Sequence, residues 1–263
     1  MKVSIIGCGK MGESLLKGLL NKGFKESDIF ITTKTATHLK KLLERYKVMG
    51  STENIDALKF SDIVILSIKP QNLEEISKEL TGKFDGKILI SILAGISIKN
   101  LKDHLKAKKV VRCMPNLPSR IGKGITVWTD SGLNEEERNI VKKILSSLGE
   151  DVYVEKGEFI DIGTSLSGSG PAYIFLFLKS MSDAGVYLGL PREISEKLSE
   201  ETVIGSVLLK RELKKTYDEL IDMVSSPGGT TVEALLKLEE SGFKSTLMKA
   251  IIAAYKKSKD LRR

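Results

Sequence analysis

Two stretches of this chain place chemically useful residues at a meaningful spacing. The first is Gly7-x-Gly9-x-x-Gly12, entered from the apolar run Val3, Ile5, Ile6 and left through Met11, Leu15, Leu16, Leu19 and Leu20 on one helical face. Strand, glycine turn and helix in that order make a dinucleotide-binding fingerprint. Gly7 permits the tight turn, Gly9 lets a pyrophosphate approach the backbone, and Gly12 lets helix and strand pack closely. The first helical N–H groups and the positive end of the helix dipole then face the phosphates, so Gly7, Cys8, Gly9, Lys10, Met11 and Gly12 are assigned to cofactor binding. The second stretch is Ser225-Ser226-Pro227-Gly228-Gly229-Thr230-Thr231. Pro227 and two glycines bend the chain before a helix, which aims N–H groups around Gly229–Thr231 at open space and offers a carboxylate site. Thr231 adds a hydroxyl for a second polar atom of the same ligand. Taken in isolation, the segment is a Thr-capped helix after a proline turn.

Cofactor choice is written at the end of the second strand, where an enzyme preferring NAD carries Asp or Glu for the ribose 2′-hydroxyl. This chain has Thr32-Thr33-Lys34-Thr35 there, hydroxyls and a cation suited to a 2′-phosphate. NADPH is therefore expected, with NADH possible as a second choice. Ligands sit outside the carboxyl ends of parallel strands, so three later strand ends should line the same crevice: Ser67-Ile68-Lys69-Pro70, Ala94-Gly95 and Met114-Pro115-Asn116. Lys69 either touches the nicotinamide ribose or is solvated.

The elements that must position these residues alternate in the first half. Strands are expected at Asp28–Thr32, Val48–Met49, Ile63–Ile68, Ile88–Ile92, Val110–Cys113, Ile125–Trp128 and Val152–Val154. Between them lie a helix carrying Leu39, Leu42, Leu43 and Tyr46, and helices near Asn54–Leu58, Leu73–Leu80 and Ser97–Leu105. Another opens on the Asn134/Glu137 capping box and runs through Leu148. Continuous apolar strands separated by helices imply a parallel sheet covered on both faces. Beyond about residue 160 helices follow one another. Ser165–Pro171 reads as a flexible joint with Pro171 in a first helical turn, and Ala172–Leu188 is too apolar all round to lie on a surface. It forms either the core of the second domain or a subunit contact. Helices then run to Leu213, over Tyr217–Val224, from Val232 to Leu238, and after Gly242 through Leu247, Ile251, Ala254 and Tyr255. The fold class is α/β, an N-terminal Rossmann-like doubly wound parallel sheet (1–160) with an all-α C-terminal dimerisation domain (161–263).

With 263 residues, 41% hydrophobic and 29% charged, the composition is that of a soluble globular chain. Gly7 and Gly9 break the first apolar run and Lys10 follows, so no signal peptide is expected, and no apolar stretch reaches membrane-spanning length. Cys8 and Cys113 form neither a disulfide framework nor a metal spacing, which suits the cytoplasm. They read as packing residues, with Cys8 a candidate for reactivity because of its place in the fingerprint. The net charge of +8 should concentrate anionic ligands, but Lys is interspersed with Glu. Only the tail (Lys256, Lys257, Lys259, Arg262, Arg263) is a basic run, read as a solvated helix end rather than a nucleic-acid patch. Abundant Lys and Glu with a single glutamine, Gln71, hint at a thermophilic source.

Five segments in order, Gly7-x-Gly9-x-x-Gly12, Ile68-Lys69-Pro70, Arg112-Cys113-Met114-Pro115-Asn116, Leu166-Ser167-Gly168-Ser169-Gly170-Pro171-Ala172-Tyr173 and Val224-Ser225-Ser226-Pro227-Gly228-Gly229-Thr230-Thr231, resemble the pyrroline-5-carboxylate reductase family. The resemblance covers nearly the whole chain, and the Ser-Pro-Gly-Gly-Thr-Thr run is its most specific part. It implies NAD(P)H-dependent reduction of 1-pyrroline-5-carboxylate to L-proline. It further implies a helical second domain that dimerises by interleaving, often with further assembly into rings of dimers. By matched position it places Thr33 and Asn54 near the adenosine ribose and its phosphate, and Ser67–Pro70 and Leu93–Gly95 along the cofactor. Ser226, Gly228, Gly229, Thr230 and Thr231 hold substrate, with the Thr231 hydroxyl on the ring nitrogen. Gly12 departs from the alanine of many members and Met223 from the asparagine of some. A protonated cyclic imine is already electrophilic, so the protein must supply position and charge complementarity rather than a strong general acid.

Two other readings compete with this one. A β-hydroxyacid dehydrogenase would place lysine and asparagine after its Gly-Ser-Gly segment, where this chain has Ile174 and Leu178, neither able to move a proton. A non-catalytic NADP-sensing protein would keep the fold and turn over nothing. His38 and His104 have no Cys, Asp or Glu at ligand spacing, so no metal is expected, and neither lies near a nucleophile motif.

Overall fold

The computed structural model describes residues 1–260, so Arg262 and Arg263 of the basic tail lie outside the described residues. Two compact units are present: Met1–Ser169 together with the residues from Ala254 onward, and Gly170–Ala253.

The first unit is built on eight strands: β1 (Val3–Ile6), β2 (Ile29–Thr32), β3 (Met49–Ser51), β4 (Ile63–Leu66), β5 (Ile88–Ser91), β6 (Lys109–Met114), β7 (Gly124–Asp130) and β8 (Gly149–Tyr153). They form one sheet in the order β3-β2-β1-β4-β5-β6-β7-β8. The helices of this unit are α1 (Lys10–Asn21), α2 (Ala36–Tyr46), α3 (Asn54–Phe60), α4 (Leu73–Leu80), α5 (Ile98–Leu105), α6 (Glu135–Leu145) and α7 (Glu158–Gly163). Period-2 alternation explains why the strands read as unbroken apolar runs. Val3, Ile5, Ile63, Ile65, Ile88 and Ile90 face one layer, with Leu15, Leu16 and Leu19 of α1 and Val141, Ile144 and Leu145 of α6. Ile6, Val64, Leu66 and Leu89 face the other, with Ala57, Leu58, Leu73, Leu80, Leu101 and Leu105 of α3, α4 and α5. Both faces are buried, so both must be apolar.

The strands β1 to β6 are mutually parallel, and the Rossmann-like fold class stands. The far edge adds what the sequence did not show: β7 runs antiparallel to β6, and β8 pairs parallel with β7. The link from Met114 to Gly124 holds only a short 3-10 turn, Leu117–Ile121. A parallel return needs a crossover of a dozen or more residues, so this link can only reverse the chain.

Ser165–Pro171 is not a flexible joint. Thr164–Gly168 is a π-helical turn between α7 and α8 (Gly170–Tyr187). The hydroxyls of Thr164, Ser165 and Ser167 donate at 2.7, 2.7 and 2.8 Å to the carbonyls of Ile160, Ile162 and Gly163. The residues that gave the segment a loop-like composition thus spend their polar groups on the preceding turn.

The second unit holds all of α8, then α9 (Arg192–Leu213), α10 (Tyr217–Val224), α11 (Thr230–Glu240) and the larger part of α12 (Phe243–Asp260). α8 and α9 pack as a hairpin, with Ser195 Oγ donating to the Ser182 carbonyl at 2.8 Å and Arg192 bonding Asp183 at 2.6 Å. The apolar α8 does not make a core within this chain. Ile174, Phe175 and Leu176 are 48, 57 and 67% exposed, and Ser182 is the buried residue recorded on the helix.

Candidate functional site

A cleft of about 730 Å³ opens in the first unit, lined by the ends of β1, β2 and β4 and the turns that follow them. β1 pairs with β2 on one side and with β4 on the other. It is therefore the strand at which the winding direction reverses, and that switch point is where an open α/β sheet binds ligands.

The glycine turn is shaped as its spacing requires. Gly7 has φ +82°, and a Cβ there would stand 2.6 Å from Ile68 Cγ2 and 3.0 Å from the Ser67 carbonyl oxygen. Gly9 caps α1 without any side-chain bond, and a Cβ on it would meet nothing within 4 Å. Open space over a backbone that leads into uncapped helical N–H groups is a phosphate cradle. At the bottom of the cleft Ser67 Oγ is buried with no hydrogen-bond partner, a polar atom that a bound ligand would satisfy. Both features fit a dinucleotide.

A directed chain of hydrogen bonds holds the turn. The Gly7 N–H donates to Thr32 Oγ1 at 3.3 Å, and Thr32 Oγ1 donates to Asn54 Oδ1 at 2.7 Å. The Cys8 N–H donates to the Thr32 carbonyl at 2.7 Å. Beside it, Thr33 Oγ1 donates to the Thr35 carbonyl at 2.9 Å, and Thr33 is buried. A hydroxyl has one proton, so Thr33 as it stands offers an incoming phosphate only lone pairs. Thr35 Oγ1 accepts from the His38 N–H at 3.4 Å as the N-cap of α2 and keeps its own proton. Lys34 is exposed at the rim.

Of the residues assigned from sequence, Gly7, Cys8, Gly9, Thr32, Thr33, Lys34, Asn54, Ser67, Ile68 and Lys69 line the cleft. Lys10, Met11 and Gly12 form the first turn of α1 just behind Gly9. Pro70 starts the 3-10 turn Pro70–Asn72. Leu93 is buried, Ala94 is exposed, and Gly95 has φ +75° in the turn after β5. Met114 ends β6, and Pro115 is buried. Asn116 is engaged elsewhere in the unit, donating to the Ser167 carbonyl at 3.2 Å and accepting from the Ile125 N–H at 3.0 Å. The structure therefore does not bring these ten residues into the cleft lining: Lys10, Met11 and Gly12 belong to α1, and Pro70, Leu93, Ala94, Gly95, Met114, Pro115 and Asn116 lie at or after three strand ends.

Thr35, the last of the polar run expected to meet a 2′-phosphate, lines the cleft too, as do His38, Thr52, Gln71, Asn72, Glu75 and Ile76, which sequence reasoning missed. His38 Nε2 lies 3.0 Å from the Cys8 carbonyl oxygen, across a separation of 30 residues. The signal available was positional: Thr35 and His38 open the helix that leaves the second strand. Cys8 itself is not a reactive thiol. Its side chain is buried, and burial, with the Glu13 carboxylate adding, pushes it up to about 12.

In the second unit Ser225–Gly229 is a bend with Ser226, Pro227 and Gly228 exposed and its two ends half-buried, and Gly228 has φ +69°. Thr230 and Thr231 are the first residues of α11 rather than part of the preceding loop, and Gly229 is its N-cap with no side-chain bond. The helix is thus not Thr-capped. Its first N–H groups are left for an anion, and Ser226 lies against Gly229, whose N–H donates to the Ser226 carbonyl at 2.9 Å. Among the described residues no group of three His, Cys, Asp or Glu side chains converges to hold a metal ion, and no helix is long and apolar enough to cross a membrane.

The chain matches two family models: pyrroline-5-carboxylate reductase dimerisation over residues 158–261, and NADP oxidoreductase, coenzyme F420-dependent, over residues 2–95. It is 37% identical to the pyrroline-5-carboxylate reductase of Aquifex aeolicus over 263 residues, covering 99% of this chain and 97% of that protein. The structure of a pyrroline-5-carboxylate reductase from Coxiella burnetii superposes with TM-score 0.91 at 29% identity, covering 100% of this chain and 98% of that one. The Plasmodium falciparum pyrroline carboxylate reductase with NADP bound gives 0.89 at 31% identity, with coverage of 100% and 98%.

Proposed function

Because the chain belongs to the pyrroline-5-carboxylate reductase family, we propose that it is itself such a reductase, with NADPH as preferred cofactor, NADH as a second choice, and 1-pyrroline-5-carboxylate as substrate. It transfers hydride to the C=N bond and yields L-proline. The observation that carries the reading is the cleft at the switch point, where an open Gly9 backbone, the unpaired Ser67 Oγ and the Thr33–Thr35 cluster meet.

Bound in that cleft, the reduced nicotinamide would supply the hydride. The chain's own residues do the rest. Gly9 and the first N–H groups of α1 take the pyrophosphate. Lys34 and the Thr35 hydroxyl neutralise and bond the 2′-phosphate, a role moved from Thr33 because its proton is already donated to Thr35. Ser67 to Pro70, Leu93 to Gly95 and Met114 to Asn116 continue the cofactor site along the strand ends. Residues 1–160 act as the cofactor domain and 161–263 as the substrate and dimerisation domain. The N–H groups around Gly229–Thr231 hold the substrate carboxylate beside Ser226 and Gly228, while the Thr231 hydroxyl bonds the ring nitrogen. The protonated imine needs no strong general acid, so these groups act by position and charge.

Self-association follows from the matched dimerisation region. The exposed apolar residues of α8, Ile174 to Phe177, are the face we assign to it, with rings of dimers as the larger assembly and the cytoplasm as the location. A steady-state assay of NADPH and NADH oxidation with pyrroline-5-carboxylate tests the reading. Turnover with a lower KM for NADPH is expected. Cofactor binding without turnover would instead identify an NADP-sensing protein.

A further inference from the structure

Glu79, on α4, lies outside the cleft lining yet controls one of its members. Its Oε2 accepts from Asn54 Nδ2 at 3.1 Å, and its Oε1 accepts from the Ile55 N–H at 3.1 Å. A carboxylate accepts and cannot donate. It therefore meets only the NH₂ side of the Asn54 amide and forces the amide oxygen toward Thr32. Thr32 Oγ1 must then spend its proton on Asn54 Oδ1, which leaves its lone pairs for the Gly7 N–H. The four residues form one chain, Gly7 to Thr32 to Asn54 to Glu79, with every hydrogen bond running in the same direction. The Ile55 N–H at the start of α3 anchors the far end.

The consequence is directional. An amide free to turn over could show the cleft its oxygen or its nitrogen. With one Nδ2 hydrogen on Glu79 and the oxygen on Thr32, Asn54 has only the second Nδ2 hydrogen left to offer. An N–H suits the oxygens of a phosphorylated ribose, whereas a carbonyl would repel them. We propose that Glu79 is a positioning residue for the cofactor: by fixing the direction of the Gly7–Thr32–Asn54 hydrogen-bond chain, it makes Asn54 a donor to the bound dinucleotide and locks the first glycine turn. The inference rests on the reading of the cleft as an NADPH site.

Glu79→Gln is the informative variant because it preserves size and removes the acceptor-only character. A Gln amide can donate to Asn54 and let the chain reverse. Calorimetric titration of the full-length protein with NADPH and with 2′,5′-ADP should show Kd raised about tenfold to a hundredfold in E79Q, as expected for a lost hydrogen bond involving a charged partner. The rise in KM for NADPH should exceed any change in kcat. Glu79→Asp, which keeps an acceptor-only head, should retain more affinity than E79Q. In an Asn54→Ala background E79Q should change Kd no further, because the effect passes through Asn54. Thermal melts establish that each variant is folded, and E79D against wild type carries the comparison if E79Q is not. Wild-type affinity in E79Q, or an equal loss with and without Asn54, overturns the proposal. Failure of the wild-type protein to bind NADPH would instead remove the cofactor reading on which it stands.

Discussion

The guanidinium of Arg112 meets the carboxylate of Asp161 at 2.6 Å, with side chains 6% and 0% exposed. The same guanidinium donates to the Gly157 carbonyl at 3.1 Å. This pair fastens β6, whose end carries Met114–Asn116, to α7, which leads into the π turn. Removing one partner leaves an uncompensated buried charge. Asp161→Ala is therefore expected to cost about 3–5 kcal/mol of stability, read as a drop in the urea midpoint with the slope unchanged.

The glycine positions of the fingerprint should not respond alike. Alanine at Gly7 faces both a left-handed backbone and contact at 2.6 Å with Ile68, and should cost at least about 1–3 kcal/mol along with cofactor affinity. Alanine at Gly12 would put its Cβ 3.0 Å from the Gly7 carbonyl oxygen and 3.3 Å from Ile5 Cγ2. Small shifts accommodate that, and helix propensity returns about 0.5–1 kcal/mol. Melting temperature and NADPH Kd should change sharply in G7A and little in G12A.

Thr231→Ala removes a hydroxyl in the first turn of α11 while leaving the backbone N–H groups in place. If that hydroxyl bonds the ring nitrogen, the loss should fall mainly on the hydride-transfer step, by about 1–3 kcal/mol. Single-turnover NADPH oxidation should slow about fivefold to a hundredfold, with Kd for NADPH unaltered. Unchanged kinetics would take Thr231 out of the mechanism.

Two buried thiols set an alkaline limit. Burial pushes Cys8 up to about 12, with Glu13 adding to it, and burial pushes Cys113 up to about 12 against the opposing pull of Arg112. An unfolded thiol titrates near 8.5. Folded thiols above that value hold protons the unfolded chain has lost, so the stability they contribute is complete below about pH 8.5 and declines as pH rises toward 12. Melting temperatures between pH 7 and pH 10.5 should fall, and a Cys8→Ala, Cys113→Ala double variant should show a shallower slope. Neither thiol should react with iodoacetamide in the native protein.

Much of the first unit was legible because its signals are local. An apolar run such as Ile63–Leu66 followed by a polar break, and the Asn134/Glu137 capping box, which is present with both bonds made, need no distant partner to be recognised. The strand–glycine–helix order at Gly7–Gly12 is equally local, and it led to the cleft through Gly7, Gly9 and the end of β2. The Ser-Pro-Gly-Gly-Thr-Thr bend is legible as a helix opening from its proline and glycines, but its cap is not: Thr230 and Thr231 sit inside the helix and Gly229 caps it.

The sequence by itself determined the order of the strands and of every helix but α7, the dinucleotide fingerprint and the absence of a carboxylate at the end of β2, since periodicity, turn chemistry and residue type are carried by neighbours in the chain. Only the tertiary structure decided that β7 runs antiparallel, that Cys8 is sealed, that Thr33 has already donated its proton, and that Ile174 to Leu176 stay exposed. It alone brought His38 to Cys8 and Glu79 to Asn54. Strand direction, burial and hydrogen-bond direction depend on groups dozens of residues apart, and no local pattern records which of them will meet.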